Sequence, residues 1–170
     1  MRILLTISLF FLLTSCWPTS VSFIDGSLPP EWKTFFVTSF ENNAPNTPLS
    51  YSASLSESVR DGIQNNTRLL INNDVDSAEL NVTATVTSYT ISPVALQNTD
   101  VSAKNRLSIS VRFEIFITIP GEEEDQMSLT STRFVDYDVS TDIGVVETEL
   151  LDEVNEQIVQ DVINKLMSNW

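Results

Sequence analysis

Two segments in the middle of the chain alternate apolar and polar residues with a period of two. In residues 79–91, leucine, valine and alanine alternate with asparagine and threonine. In residues 106–119, leucine, isoleucine, valine and phenylalanine alternate mostly with polar residues. Because successive side chains of a strand point to opposite faces, this pattern predicts strands with one buried face and one open face, as in an antiparallel sheet.

Three other segments have the composition of strands. Residues 31–40 are rich in β-branched and aromatic side chains, and residues 68–72 form a short apolar run. Residues 126–138 follow a turn at 120–125 and are predicted to return the chain as the last strand. Residues 41–48 are predicted to be a loop.

Two segments repeat apolar residues every four positions, which predicts amphipathic helices. The first is expected to have Thr47 as its cap and Pro48 at its first position. The second spans about 142–168, with acidic residues in its first half and Lys165 in its last turns, as suits the helix dipole. The apolar stripes are Leu55, Val59 and Ile63 in the first helix and Val146, Leu150, Val154, Ile158, Val162 and Leu166 in the second.

These elements follow one another in the order β-α-β-β-β-β-α. We predict an α+β fold: a two-layer sandwich with both helices on one face of a four- to five-stranded, mainly antiparallel sheet. The other face of the sheet is expected to remain open. Residues 31–170 are predicted to form this single domain.

The first fifteen residues predict a secretory signal peptide. Arg2 gives a positive start, and the apolar run 3–13 follows. A run of about ten residues is too short to span a bilayer, which needs roughly 20, but is typical of a signal peptide. Residues 16–30 mix proline, serine and glycine and are predicted to be a tether.

The only cysteine of the chain, Cys16, stands directly after this segment. The sequence Leu-Thr-Ser-Cys at 13–16 resembles the bacterial lipobox, in which the chain is cut before the cysteine and lipid is attached to its sulfur. We therefore predict that Cys16 carries the lipid, including palmitate, and that residues 1–15 are removed. The alternative is an ordinary signal peptide with an incidental cysteine.

Composition excludes several classes of function. The chain has 9 basic and 23 acidic residues, a net charge of −14, so it does not attract nucleic acid through its overall field. It has no histidine, which removes the commonest general base and transition-metal ligand. Its single cysteine cannot form an internal disulfide. We predict neither enzymatic activity nor a cofactor.

Three basic residues share the predicted open face. Lys104, Arg106 and Arg112 have the same parity in the strand and lie opposite its apolar side chains. In so acidic a protein they could contact a phosphate or an acidic partner surface. Local pairing with acidic neighbours such as Glu114 is the alternative.

Asp136, Asp138 and Asp142 have the spacing of a calcium-binding loop and form a weak metal candidate. Thr141, however, stands where such loops need glycine. We expect instead a strand that runs into a helix N-terminus, with acidic residues in its first turn, and no metal site.

Two short motifs carry weaker signals. The acidic run 122–125 is expected to be a solvated turn that discourages unwanted strand pairing. The triplet Asp76-Ser77-Ala78 resembles the acceptor of some bacterial O-glycosylation systems.

Long segments of the chain resemble the LptE family, lipoproteins of the lipopolysaccharide-transport machinery. The resemblance is strongest in residues 88–113 and 133–170, and residues 27–45 fit the family's first strand. It implies a fold of two helices on a four-stranded sheet. It also implies an outer-membrane lipoprotein, on the periplasmic side, that partners the LptD β-barrel, assists its assembly and helps place lipopolysaccharide in the outer leaflet.

A second hypothesis is an unrelated periplasmic lipoprotein of similar α+β build. Such a protein would act as a pilotin-like or small binding module. Co-purification of a large outer-membrane barrel would distinguish the two.

Overall fold

A computed structural model describes residues 28–94 and 103–168. The predicted signal peptide, Cys16 and most of the predicted tether lie outside the described residues. The elements, in chain order, are β1 (Thr34–Val37), β2 (Glu41–Asn42), α1 (Tyr51–Asn66), β3 (Leu70–Ile71), β4 (Leu80–Val94), β5 (Lys104–Ile117), β6 (Asp125–Asp138) and α2 (Ile143–Met167).

The strands form one mixed sheet in the order β3-β1-β4-β5-β6, with β2 also paired to β4. The long strands β4, β5 and β6 are antiparallel to their neighbours. The short strands pair in parallel: β1 with β3 and β4, and β2 with β4. The predicted α+β fold is confirmed, with six strands. The added strand is β2, whose two residues are too few to produce an alternating pattern.

The alternation in β4 and β5 places a continuous apolar layer under the helices. Leu80, Val82, Ile109 and Phe113 are all fully buried there. The alternation of β4 is interrupted between Val86 and Ser88, where the pairing with β5 shifts by one residue. This β-bulge, at Thr87, lets Tyr89 also point to the core.

Both helices pack on the same face of the sheet, as predicted. α2 begins where expected, but the expected acidic residues are absent from its first turn. Asp142 is instead the N-cap: its carboxylate accepts a hydrogen bond from the Gly144 N–H at 2.9 Å, which satisfies a free amide of the first turn. The stripe from Leu150 to Leu166 is buried. The Tyr89 hydroxyl donates to Glu147 at 2.5 Å and so links β4 to the start of α2.

The prediction that α1 begins at Thr47 and Pro48 is wrong by three residues. The helix begins at Tyr51, with Ser50 as its N-cap. The Thr47 hydroxyl instead donates to the Ala44 carbonyl at 3.1 Å. Thr47 therefore stabilises the turn that precedes the helix.

The two helices run parallel and approach closely. Ser54 in the first turn of α1 and Thr148 in the second turn of α2 line the same cavity, and further along Gly62 meets Val159. A Cβ atom added at Gly62 would lie 2.2 Å from Val159 Cγ1. Glycine is therefore needed at this crossing, despite its low helix propensity.

The packed domain includes residues at the start of the described chain. Leu28 and Trp32 belong to the hydrophobic core. The Arg68 guanidinium donates to the backbone carbonyls of Leu28 and Pro29.

Candidate partner-binding face

The side chains of β4, β5 and β6 that point away from the helices form what we call the open face. Paired residues on the three strands build it in rows across the sheet. The open face is mostly polar because the alternation of β4 and β5 assigns their threonine, serine and charged residues to this side. Three of its rows are Thr83–Glu114–Ser128, Thr85–Arg112–Thr130 and Ser92–Arg106–Asp136.

Arg112 lies in a shallow concavity of about 230 Å³ on the open face. Its side chain is exposed, and no acidic group in residues 28–94 and 103–168 forms an ion pair with it. The concavity thus presents the Arg112 guanidinium and the hydroxyls of Thr83 and Thr85, which can donate hydrogen bonds to anionic oxygens, beside the Glu114 carboxylate, which only accepts them. Its remaining lining residues are Asn43 and Thr87. The Thr87 hydroxyl already donates to the Ser110 carbonyl at 3.1 Å.

Arg106 lies on the same face but already has a partner. Its Nε and Nη2 atoms donate to the two carboxylate oxygens of Asp136 at 2.6 and 2.8 Å. Its guanidinium carbon also lies 3.7 Å from the centre of the Phe134 ring, in a cation–π contact. The Arg106 guanidinium holds the pKa of Asp136 below its usual range.

Lys104 completes the predicted set of three basic residues on one face. It pairs in register with Asp138, next to the Arg106–Asp136 pair. The Asp138 carboxylate is held mainly by the hydroxyl and the N–H of Ser140, and these hydrogen bonds lower its pKa, with a smaller contribution from Lys104. The alternative of local pairing therefore applies to Arg106, although the partner is Asp136 and not Glu114.

The residues with calcium-loop spacing do not converge. Asp136 binds Arg106, Asp138 binds Ser140, and Asp142 caps α2. Within residues 28–94 and 103–168, no three acidic side chains are grouped closely enough to hold a metal ion.

The acidic run and two residues of the glycosylation triplet, Asp76 and Ser77, lie at the surface, whereas Ala78 is buried. Residues 122–125 are exposed in the turn between β5 and β6, after Gly121, whose φ of 91° favours glycine. Ser77 is exposed in the loop between β3 and β4, and its hydroxyl donates to Asp74 at 3.0 Å.

Two aromatic residues of the open face were not identified from the sequence. Phe116 and Phe134 are 38% and 46% exposed. The sequence did contain a signal for them: in the alternation of β5 and β6, each phenylalanine stands at a position of the polar side of its strand. They give an otherwise polar face two apolar contact points.

Comparison with known proteins identifies the family. The model of the LptE family, described as lipopolysaccharide-assembly, matches residues 32–166. The chain belongs to the LptE family. No curated protein sequence matches this LptE chain.

Solved structures share the fold. This LptE chain is similar to a minor lipoprotein from Acinetobacter baumannii, with 17% identity, a TM-score of 0.51 and coverage of 81% of this chain and 94% of that one. It is also similar to a putative neuraminyllactose-binding hemagglutinin homolog from Helicobacter pylori, with 11% identity, a TM-score of 0.53 and coverage of 85% and 89%. At these identities the likeness is one of fold alone.

The LptE family consists of non-enzymatic outer-membrane lipoproteins of lipopolysaccharide assembly. Neither α1 nor α2 of the described chain combines the length and apolarity that crossing a bilayer requires.

Proposed function

We propose that this LptE chain is an accessory lipoprotein of an LptD-type outer-membrane barrel. It assists assembly of the barrel and helps place lipopolysaccharide in the outer leaflet. Residues 1–15 act as a signal peptide, lipid on Cys16 anchors the chain on the periplasmic side of the outer membrane, and residues 16–30 tether the domain 31–170.

The observation that carries this proposal is the open face. Strands of 14 or 15 residues leave one side of the sheet uncovered by either helix. A polar face is equally stable when it is exposed to water in a monomer. The lumen of a large barrel, however, is itself polar and often charged, so it can also contact such a face. A polar face with two exposed aromatic rings and a guanidinium that has no ion-pair partner in the described part of the chain suits docking against such a wall.

Lipopolysaccharide is a second candidate for the same face. Phosphate groups bind arginine through charge-assisted hydrogen bonds, and the hydroxyls of Thr83 and Thr85 beside Arg112 can donate further ones. Lys104 extends the basic character of the face toward its other end.

The test is Arg112→Glu in the full-length lipidated protein. Charge reversal at a desolvated contact costs about 2–5 kcal/mol, which corresponds to roughly 30-fold or more in affinity. We expect the barrel to be recovered less well when the variant is purified, and outer-membrane permeability to bulky antibiotics to rise. The variant should remain folded, because Arg112 is exposed and has no ion-pair partner among the described residues.

The control is Arg60→Glu, which makes the same charge change on α1, away from the open face; it removes an exposed pair with Glu57, and pairs of this kind contribute only a few tenths of a kcal/mol. Arg106→Glu is a less direct test, because it would set a second carboxylate beside Asp136. If Arg112→Glu stays folded and recovers the barrel as fully as Arg60→Glu does, the open face is not the docking surface. Recovery of no barrel with the unmodified protein would favour a pilotin-like or small binding module.

A further inference from the structure

The outer edge of β6 is a long strand edge without a partner in the described chain. β6 is the last strand of the sheet and spans 14 residues, Asp125–Asp138. The opposite edge of the sheet is formed by β3, which has only two residues. A short edge strand offers few backbone groups to a strand of another chain. The β6 edge can therefore bind such a strand much better than the β3 edge can.

The hydrogen-bonding pattern shows which groups the β6 edge offers. The Val139 N–H donates to the Ala103 carbonyl at 3.2 Å, so this pair exchanges hydrogen bonds across β5 and β6. In antiparallel sheets, hydrogen-bonded pairs alternate with pairs that are not hydrogen-bonded to each other. In β6, the residues of the second kind point their N–H and C=O groups away from β5, toward the free edge. The outward-pointing backbone groups in the centre of the edge therefore belong to Ser128, Thr130, Thr132 and Phe134.

This central stretch has few of the features that protect strand edges. β6 contains no proline, and its pairing with β5 has no bulge. The only charged residue between Gln126 and Val135 is Arg133, which is bound to Asp161 of α2. Natural proteins commonly place lysine, proline or a bulge at such an edge to prevent pairing.

A groove follows the same edge. It has a volume of about 490 Å³ and lies between β6 and the C-terminal half of α2. Thr130 and Thr132 form one side, and Asn164 and Lys165 form the other. An extended segment placed there can bond to the strand edge while its side chains contact the helix, as in the β-augmentation mode of peptide recognition.

A second copy of the chain is a poor occupant. Acidic residues lie at both ends of β6: the run 122–125 precedes its centre, and Asp138 follows it, beyond Asp136, whose charge is already paired with Arg106. An antiparallel copy would bring these acidic ends together at both sides. The net charge of −14 opposes self-association as well.

We propose that the β6 edge binds an extended segment of another protein by strand addition. The complementary segment has uncharged β-forming residues in its centre, which pair with residues 128–134, and lysine or arginine at its ends. The basic ends lie beside the acidic ends of β6. This inference does not depend on the barrel being the partner.

The test uses the full-length protein in detergent and a blocked peptide, Lys-Thr-Val-Thr-Val-Thr-Val-Lys. We expect binding that slows amide hydrogen exchange at Ser128, Thr130, Thr132 and Phe134. The same peptide N-methylated at alternate residues cannot form the backbone hydrogen bonds, and its affinity should fall by about tenfold or more. A version with glutamate at both ends should also bind more weakly.

A pair of variants at one position tests the protein side. Thr130→Pro removes an outward N–H but leaves the β5–β6 ladder intact, since proline is tolerated on edge strands. Thr130→Val keeps that N–H and serves as the control. We expect about a tenfold loss of peptide affinity for the proline variant and little change for the valine variant.

Two results would overturn the proposal. One is equal affinity for the plain and the N-methylated peptides, a comparison that needs no protein variant. The other is slow exchange of the same four amides in the absence of peptide, since that would mean that the edge is already covered by residues 16–27 or by a second copy.

Discussion

At the scale of the residue, the Asp161 carboxylate joins α2 to the last strand. It accepts hydrogen bonds from the Ser131 hydroxyl at 2.5 Å and from Arg133 Nε at 2.8 Å. The Arg133 guanidinium is the main cause that holds the pKa of Asp161 below its usual range. The pair is partly screened because the Arg133 side chain is 43% exposed, so its contribution is modest.

We predict that Arg133→Gln lowers the free energy of unfolding by about 1 kcal/mol at pH 7. A carboxylate whose pKa is lowered on folding contributes stability above its unfolded pKa of about 3.9 and loses it as pH falls through the folded pKa. The difference between the two proteins should therefore shrink as pH falls below about 4. Urea unfolding at a series of pH values measures it.

Arg60→Gln is the matched control, because Arg60 pairs with Glu57 within one exposed helix face. Such pairs contribute a few tenths of a kcal/mol. A constant difference between wild type and Arg133→Gln from pH 7 to pH 2.5 would show that Arg133 does not lower the pKa of Asp161.

At the scale of the element, the parallel helices depend on Gly62. We predict that Gly62→Ala destabilises the domain, although alanine favours helix by about 1 kcal/mol. The added methyl group would overlap Val159, and overpacking of this kind costs about 1–3 kcal/mol. Thermal unfolding measures the change.

The double variant Gly62→Ala with Val159→Ala is the control for this contact. Removing the γ-methyl groups makes room for the new methyl group, so the cost of Gly62→Ala should largely disappear in the Val159→Ala background. An equal cost in both backgrounds would mean that Gly62 matters for some reason other than the helix crossing.

The two faces of the sheet should respond differently to the same charge. Val111→Asp places an unpaired carboxylate in the core, which should cost several kcal/mol, a large part of the 5–15 kcal/mol of a typical domain. Thr85→Asp places it on the open face, next to Arg112, and should be tolerated. Equal losses in melting temperature would contradict a one-sided sheet.

The strands and α2 could be predicted because their patterns are long. In residues 106–119, seven apolar residues stand at every second position, and in α2 six apolar residues recur every four positions. Patterns of this length leave little ambiguity about the type of element. β2 could not be predicted, because its two residues carry no period, and the start of α1 was misplaced because Thr47 bonds backward to Ala44. The common face of Lys104, Arg106 and Arg112 follows from parity, but the Asp136 partner requires the register between strands.

At the scale of the whole molecule, the proposed anchor is Cys16, which lies outside the described residues. We predict that labelled palmitate is incorporated into the wild-type protein and not into Cys16→Ala, and that the variant leaves the outer-membrane fraction. Two or three acyl chains hold a protein stably on a membrane, so their loss should release it. Ser15→Ala keeps a small residue at the cut and should be lipidated normally. Labelling of Cys16→Ala would refute the lipobox.

Because of its bulge, β4 contains one residue that has no pairing partner in β5. Val86 pairs with Val111 and Ser88 with Ser110, so Thr87 occupies no place in the ladder. A protein shortened by the deletion of Thr87 should fold with its register and its core unchanged.

Deletion of Thr85 is the comparison, because it would move Val86 to the open face and forfeit about 1.5–3 kcal/mol of burial. Equal melting temperatures for the two shortened proteins would contradict this view. If it holds, the length of this strand is free to vary by one residue at Thr87 alone, and what that residue provides is a hydroxyl group, in the wall of the Arg112 concavity, that donates to the Ser110 carbonyl.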